Sequence, residues 1–157
     1  MIRLKRTDCD NLDFIKLVAL LDADLAIRDG EDHSFYDQFN GITGIRQAVV
    51  AYSGEVPVGC GGIKEFDANA MEVKRMYVVP EAREQGLAGK VLQELELWTA
   101  ELGYTYCILE TGKRQPEAIA LYNKHGYQVI PNYEPYTDMA NSVCFKKSVS
   151  FTKNQYP

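Results

Sequence analysis

The stretch Met71-Glu72-Val73-Lys74-Arg75-Met76-Tyr77-Val78-Val79-Pro80-Glu81-Ala82-Arg83-Glu84-Gln85-Gly86-Leu87-Ala88-Gly89-Lys90-Val91 decides the fold. Its first nine residues are apolar, β-branched and aromatic residues with charges between them, which predicts a strand. Pro80 ends that strand, because proline has no N–H for a ladder. From Leu87 the period changes. Leu87, Val91, Leu95, Trp98 and Leu102 recur at helical steps and line one face, with Lys90, Gln93, Glu94, Glu96 and Glu101 on the other. Gly103 stands where a helix C-terminus takes glycine. Gly86, Ala88 and Gly89 keep the backbone accessible where this helix begins, and Arg83 and Lys90 add positive charge. Unpaired N–H groups and the helix dipole make such a start an anion site that suits phosphate. The competing account is a plain turn with a tight helix–strand contact.

Working outward, Ile2 to Arg6 alternates apolar and basic residues as a half-buried strand does. Asp10 or Asn11 caps a helix carrying Phe14, Leu17, Val18, Leu21 and Leu25, which Asp29-Gly30-Glu31-Asp32 breaks. A short amphipathic piece with Phe35, Tyr36 and Phe39 follows. Gln47 to Ser53 and Val56 to Phe66 read as strands joined by Gly54-Glu55. Beyond the long helix come a buried strand, Tyr104 to Thr111, and a helix from about Gln115 to His125 with Ala118, Leu121 and Tyr122 inward. Tyr127 to Ile130 and Ser142 to Val149 read as closing strands. No repeat or linker divides the chain. The expectation is one α/β domain over residues 1–157, with a loose tail from about Ser150.

Composition narrows the functions. Of 157 residues, 46% are hydrophobic and 25% charged, as in an ordinary globule rather than a disordered chain. A net charge of −5 lacks the cationic surplus that general nucleic-acid binding requires. No apolar run approaches the ~20 residues that span a bilayer, and no apolar segment follows the basic N-terminus as in a signal peptide. These features give the expectation of a cytoplasmic or otherwise reducing setting, with neither membrane nor nucleic acid as partner. Cys9, Cys60, Cys107 and Cys144 form no Cys-x-x-Cys pair, and His33 and His125 lie far apart, so no metal site is expected. Cys60 and Cys107 sit in apolar strands as small buried thiols.

Two familiar phosphate loops do not fit. A Walker loop ending at Gly89-Lys90 needs glycine at 84 and Ser or Thr at 91, where the chain has Glu84 and Val91. A dinucleotide fingerprint needs glycine where Ala88 stands. Arg83-x-x-Gly86-x-Ala88, after a strand and opening a helix, instead resembles the acyl-CoA motif of the GNAT acetyltransferase superfamily. Glu72 to Pro80 is similar to that family's central strand, and Glu117-Ala118-Ile119-Ala120-Leu121-Tyr122-Asn123-Lys124-His125-Gly126-Tyr127 resembles its later helix and strand. One departure is Glu84, where many members carry glycine.

The resemblance implies a mixed, mostly antiparallel twisted sheet flanked by helices, with a splayed central strand at the acyl-CoA site. It implies acetyl-CoA as co-substrate, an amine that attacks the thioester directly, and a homodimer by family habit. Backbone groups around Met76, Tyr77 and Val78 would hold the pantetheine and thioester, and Arg83, Glu84, Gln85, Gly86, Leu87, Ala88 and Gly89 the pyrophosphate. Such chemistry needs a base for the ammonium proton, donors for the carbonyl oxygen and an acid for the thiolate. Glu72 matches a position where some members keep the base, and strand alternation places it on a face with Lys74, Met76 and Val78. It also reads as an ordinary strand carboxylate, and Glu110 is the second candidate. Tyr122 matches the family's thiolate acid and also reads as core packing. His125 reads as a helix C-terminal residue. Tyr52, Tyr133 and Tyr136, with Phe35, Tyr36 and Phe39, read equally as an acceptor wall or as core. The expected acceptor is the primary amine of a small molecule or amino acid. The alternatives are a protein amine, or a module that senses acyl-CoA without turnover.

Overall fold

A computed structural model describes residues 1–39 and 41–150, so the expected tail lies almost wholly outside the described residues. The chain forms two compact units, Met1–Lys64 with Val73–Leu95, and Glu65–Glu72 with the chain from Glu96 onward.

In the first unit, β1 (Ile2–Thr7) pairs antiparallel with β2 (Gln47–Ser53), from Ile2↔Ser53 to Thr7↔Ala48. β2 pairs antiparallel with β3 (Val56–Glu65) around the Gly54-Glu55 turn, with a register shift between Ala51 and Tyr52. Helix α1 (Leu12–Asp29) begins at Asn11, whose side chain accepts from the Phe14 N–H at 2.9 Å and so satisfies one orphan donor of the first turn. It buries Phe14, Leu17, Val18, Leu21 and Leu25, as the periodicity predicts, and ends at Asp29 before Gly30. Phe14, Leu17 and Val18 pack with Ile45, Ala48, Val50, Tyr52 and Cys60 into one core. Helix α2 (His33–Asp37) is short and sets the Phe35 ring edge-on to Tyr36 and Phe39.

Helix α3 (Leu87–Glu101) opens in this unit and buries Leu87, Val91, Leu92 and Leu95. Its approach depends on Gly61 of β3. A methyl there would overlap the Met76 Sδ and sit 2.9 Å from Leu95 Cδ1 and 3.1 Å from Val91 Cγ1.

In the second unit, the first three residues of β4 (Ala70–Val78) pair parallel with β5 (Tyr106–Gly112), from Ala70↔Tyr106 to Glu72↔Ile108, and the rest of β4 belongs to the first unit. β5 pairs antiparallel with β7 (Ser142–Ser148), and β6 (Gln128–Ile130) with β7 in turn. The strand order is β1-β2-β3-β4-β5-β7-β6, a seven-stranded, mostly antiparallel sheet with one parallel pair, in an α/β chain. Helix α4 (Pro116–Lys124) starts on proline and ends before Gly126, whose φ of 84° turns the chain.

Two residues of the long helix depart from the sequence reading. Glu96, expected on the polar face, is only 8% exposed, because Tyr127 Oη and Lys147 Nζ each donate to its carboxylate at 2.9 Å. Leu102, expected on the apolar face, is 42% exposed, because α3 ends at Glu101 and Gly103, at φ 94°, reverses the chain. Thr99 is fully buried instead, beside the Cys107 Sγ at 3.5 Å.

Candidate active site

The residues expected to form the anion cradle lie in the first unit. On β4, Arg75 has a φ of 61°, a left-handed conformation uncommon for a non-glycine residue in a strand. Its side chain is 3% exposed and ion-paired with Asp22 of α1, and the Cys60 thiol donates to its carbonyl at 3.4 Å. Two bonds and burial therefore hold a distortion that the strand would otherwise lose. Burial along β4 alternates as the sequence predicts, with Glu72, Lys74 and Met76 half-buried between the buried Met71, Val73 and Arg75, and the left-handed residue lies within that run.

Beyond β4, Val79 N–H donates to Val58 O at 2.9 Å and a 3-10 turn spans Pro80–Ala82. Arg83 turns back: its Nε donates to Val78 O at 2.9 Å and its guanidinium lies 5.7 Å from the centre of the Tyr77 ring. Burial raises the Tyr77 hydroxyl's pKa, with Arg83 opposing. Glu84 and Gly86 then take φ values of 65° and 76°. The glycine that the family resemblance leads one to expect at position 84 thus has a conformational reason, and this chain places a carboxylate side chain in the same conformation. Gly86 needs no room, since a Cβ there would meet nothing within 4 Å; its requirement is the backbone angle. The Lys90 N–H donates to Gly86 O at 3.2 Å, so the N–H groups of Leu87, Ala88 and Gly89 precede that first helical donor. Arg83, Glu84, Gln85 and Gly86 are exposed, Ala88 half-buried, Leu87 and Gly89 buried.

The second unit holds all three expected proton-handling residues. Glu72 accepts a hydrogen bond from Tyr133 Oη at 2.7 Å. The Tyr133 ring lies 4.9 Å from Phe66 and 5.8 Å from Tyr136, edge-on to both. Burial, then the Glu72 charge, pushes the Tyr133 hydroxyl far above its usual range. Glu110 accepts from Ser142 Oγ at 2.7 Å, and its register partner is Cys144. The Cys144 thiol is pushed up to about 11 by burial, with Glu110 and Glu72 adding to the effect. The two carboxylates therefore bear on a common neighbour. Tyr122 is 6% exposed, with its ring centre 5.6 Å from Tyr127 and 5.8 Å from Phe145. Burial first, and Glu110 second, raise its pKa, so it carries its proton at neutral pH.

The aromatic residues divide. Tyr133 stands beside Glu72 and Tyr136 beside Tyr133, whereas Tyr52 donates to Asp13 at 2.6 Å under Arg3, and Phe35, Tyr36 and Phe39 cluster among themselves. Sequence reasoning missed Phe66, Ser142 and Cys144. Strand pairing brings Ser142 and Cys144 to Glu110, Phe66 joins through its ring contact with Tyr133, and no spacing signals either. Cys60 and Cys107 are buried thiols as expected, pushed up to about 12 and about 11 by desolvation. Among the described residues, no group of three His, Cys, Asp or Glu is placed to hold a metal.

Residues 44–129 match the family model described as the acetyltransferase (GNAT) domain. The chain belongs to the GNAT acetyltransferase family. This GNAT chain is 31% identical to the structure of a proposed acyl-CoA N-acyltransferase from Klebsiella pneumoniae, covering 95% of this chain and 98% of that one at a TM-score of 0.78. It is 39% identical over 93 residues to an IAA acetyltransferase of Azospirillum brasilense, covering 59% of this chain. The match spans 60% of that relative's length, less than two thirds of it. An Elizabethkingia anophelis GNAT acetyltransferase solved with acetyl-CoA bound shares the fold, at 17% identity and a TM-score of 0.67 over 94% of this chain and 97% of that one.

Proposed function

We propose that this GNAT chain is an acetyl-CoA-dependent N-acetyltransferase that acts on the primary amine of a small molecule or amino acid. The observation that carries the reading is the left-handed Glu84–Gly86 turn, which delivers an exposed backbone to the first N–H groups of α3. That arrangement fits a diphosphate: the N–H groups and helix dipole favour anions, and Arg83 and Lys90 supply charge. Relatives named as acetyltransferases, one of them with acetyl-CoA bound, support the choice of donor.

The chain's own residues supply the remaining needs. Glu72 takes the proton that an acceptor amine loses, directly or through water. The amine nitrogen then attacks the thioester carbonyl carbon, the C–N bond forms and the C–S bond breaks. Backbone N–H groups around Met76 and Val78 stabilise the carbonyl oxygen during attack. Tyr122 gives its hydroxyl proton to the departing thiolate and is reprotonated by the second proton that the nitrogen sheds on becoming an amide, so the products are an N-acetyl amine and free CoA. Tyr122 is suited to this because it is protonated at neutral pH.

The test is calorimetric titration with acetyl-CoA, followed by free-thiol release across a panel of amines, amino acids and lysine peptides. Binding with turnover of a small amine is the expected result. Binding with no turnover makes the chain an acyl-CoA sensor, turnover of peptides alone makes it a protein acetyltransferase, and absence of binding overturns the reading.

A further inference from the structure

The loop between β6 and β7 places one hydroxyl on the proposed base. Tyr133 Oη donates to the Glu72 carboxylate at 2.7 Å, and the two residues are 61 positions apart in sequence. We propose that Tyr133 is a positioning residue for Glu72, its hydroxyl fixing that carboxylate in place in its charged form. The inference rests on the reading of Glu72 as the base of an acetyltransferase.

Three observations support it. First, a hydroxyl donated to a carboxylate is a charge-assisted bond, stronger than a neutral one, and it favours the ionised partner. Second, the donor is held still. Phe66 and Tyr136 flank the Tyr133 ring edge-on, at interplanar angles of 65° and 77°. The Tyr136 N–H closes on Tyr133 O at 2.7 Å, and the Asn132 side-chain amide faces the carbonyls of Tyr136, Met139 and Ser142 at 3.2, 3.3 and 3.1 Å. One asparagine thus gathers the loop that carries Tyr133. Third, Tyr133 keeps its proton, because burial and the adjacent carboxylate both oppose its ionisation. At neutral pH it is therefore a donor and takes no proton itself.

Other elements also bring groups to the neighbourhood of Glu72. From β7, Cys144 bears on it as a neutral thiol, pushed up to about 11. From β5, Ile108 is its register partner and carries no charge. Glu110, held by Ser142, bears on Cys144. Lys74 follows two residues later along β4.

The experiment compares pH–rate profiles of wild type, Tyr133→Phe and Glu72→Gln with one amine, alongside acetyl-CoA titration and thermal unfolding. Tyr133→Phe keeps the ring and its edge contacts. It is expected to lower kcat/KM by about tenfold or more below neutrality, the scale of one hydrogen bond to a charged group. The loss shrinks as pH rises, so the acidic limb moves to higher pH while acetyl-CoA affinity is unchanged. A second variant, Phe66→Leu, keeps the hydroxyl and loosens the ring, and is expected to lower kcat/KM without moving that limb. A Tyr133→Phe profile superimposed on wild type, or lowered in parallel at every pH, overturns the positioning role while an impaired Glu72→Gln leaves the base standing. An unimpaired Glu72→Gln, or a wild type that releases no thiol with any amine, overturns both.

Discussion

Glu84 carries two separable penalties. A left-handed backbone disfavours a residue with a Cβ by about 1–2 kcal/mol, and its carboxylate opposes an incoming diphosphate. Glu84→Gln removes the charge and keeps the strain, so it should tighten acetyl-CoA binding severalfold without changing stability. Glu84→Gly removes both, and glycine's extra freedom in the unfolded chain offsets roughly 0.4–1 kcal/mol of the gain. It should bind as tightly as Glu84→Gln and unfold at slightly higher denaturant. Equal or weaker binding in both variants, measured by calorimetry, removes Glu84 from the cradle. Tyr122 presents the opposite case, a buried core side chain that is also proposed as the thiolate acid. Tyr122→Phe deletes the hydroxyl and preserves the ring contacts to Tyr127 and Phe145, so thermal unfolding should hardly move. If the tyrosine protonates the thiolate, kcat should fall by roughly 10²-fold. A wild-type kcat returns Tyr122 to packing alone. The sequence marked both positions through the resemblance, yet it could not reveal why a glycine or a tyrosine is wanted there. A φ angle and a buried ring are properties of the folded chain.

The elements that the sequence placed best are those governed by period and punctuation. β2 and β3, their Gly54-Glu55 turn, α1 with its Asn11 cap and the stop at Gly103 all fall where local rules put them. Reading failed where distant partners overrule local polarity. Glu96 is buried because Tyr127 and Lys147, 31 and 51 residues away, satisfy it. The left-handed conformation of Arg75 was equally hidden, since its Asp22 partner comes from helix α1. Gly61 shows what such packing demands of an element. The stretch Gly59-Cys60-Gly61-Gly62 suggested only a strand, whereas the fold uses Gly61 to let α3 approach β3. Gly61→Ala should therefore destabilise by about 1–3 kcal/mol, the usual penalty for overpacking, because Met76, Leu95 and Val91 all border the new methyl. Denaturant titration gives the answer: the midpoint falls and the m-value stays. A midpoint equal to wild type means that α3 shifts freely, and the close approach then has no structural consequence.

For the molecule as a whole, the buried thiols set an alkaline limit on stability. Desolvation pushes Cys60 up to about 12 from an unfolded value near 9.0, and Cys107 up to about 11. Cys144 is pushed up to about 11 as well, and Tyr122, Tyr127 and Tyr133 are all raised. Every one of these groups is neutral when protonated, and the fold holds the proton more tightly than the unfolded chain does. Below pH 9 both states carry the same protons on the thiols, so the groups add no pH dependence. Between pH 9 and about 12 the unfolded chain loses protons that the native state retains, and the unfolding free energy must fall as pH rises. Guanidinium midpoints measured under reducing conditions should thus be flat from pH 7 to 8.5 and decline steeply above pH 9. Cys60→Ala removes the most shifted thiol at the expense of a small void. Its midpoint should lie slightly below wild type at pH 8, and its decline above pH 9 should be shallower, so that the two curves converge or cross. Parallel curves would mean that the Cys60 thiol ionises without unfolding the protein. In that case water reaches the space between α1 and the strands that the described core keeps apolar.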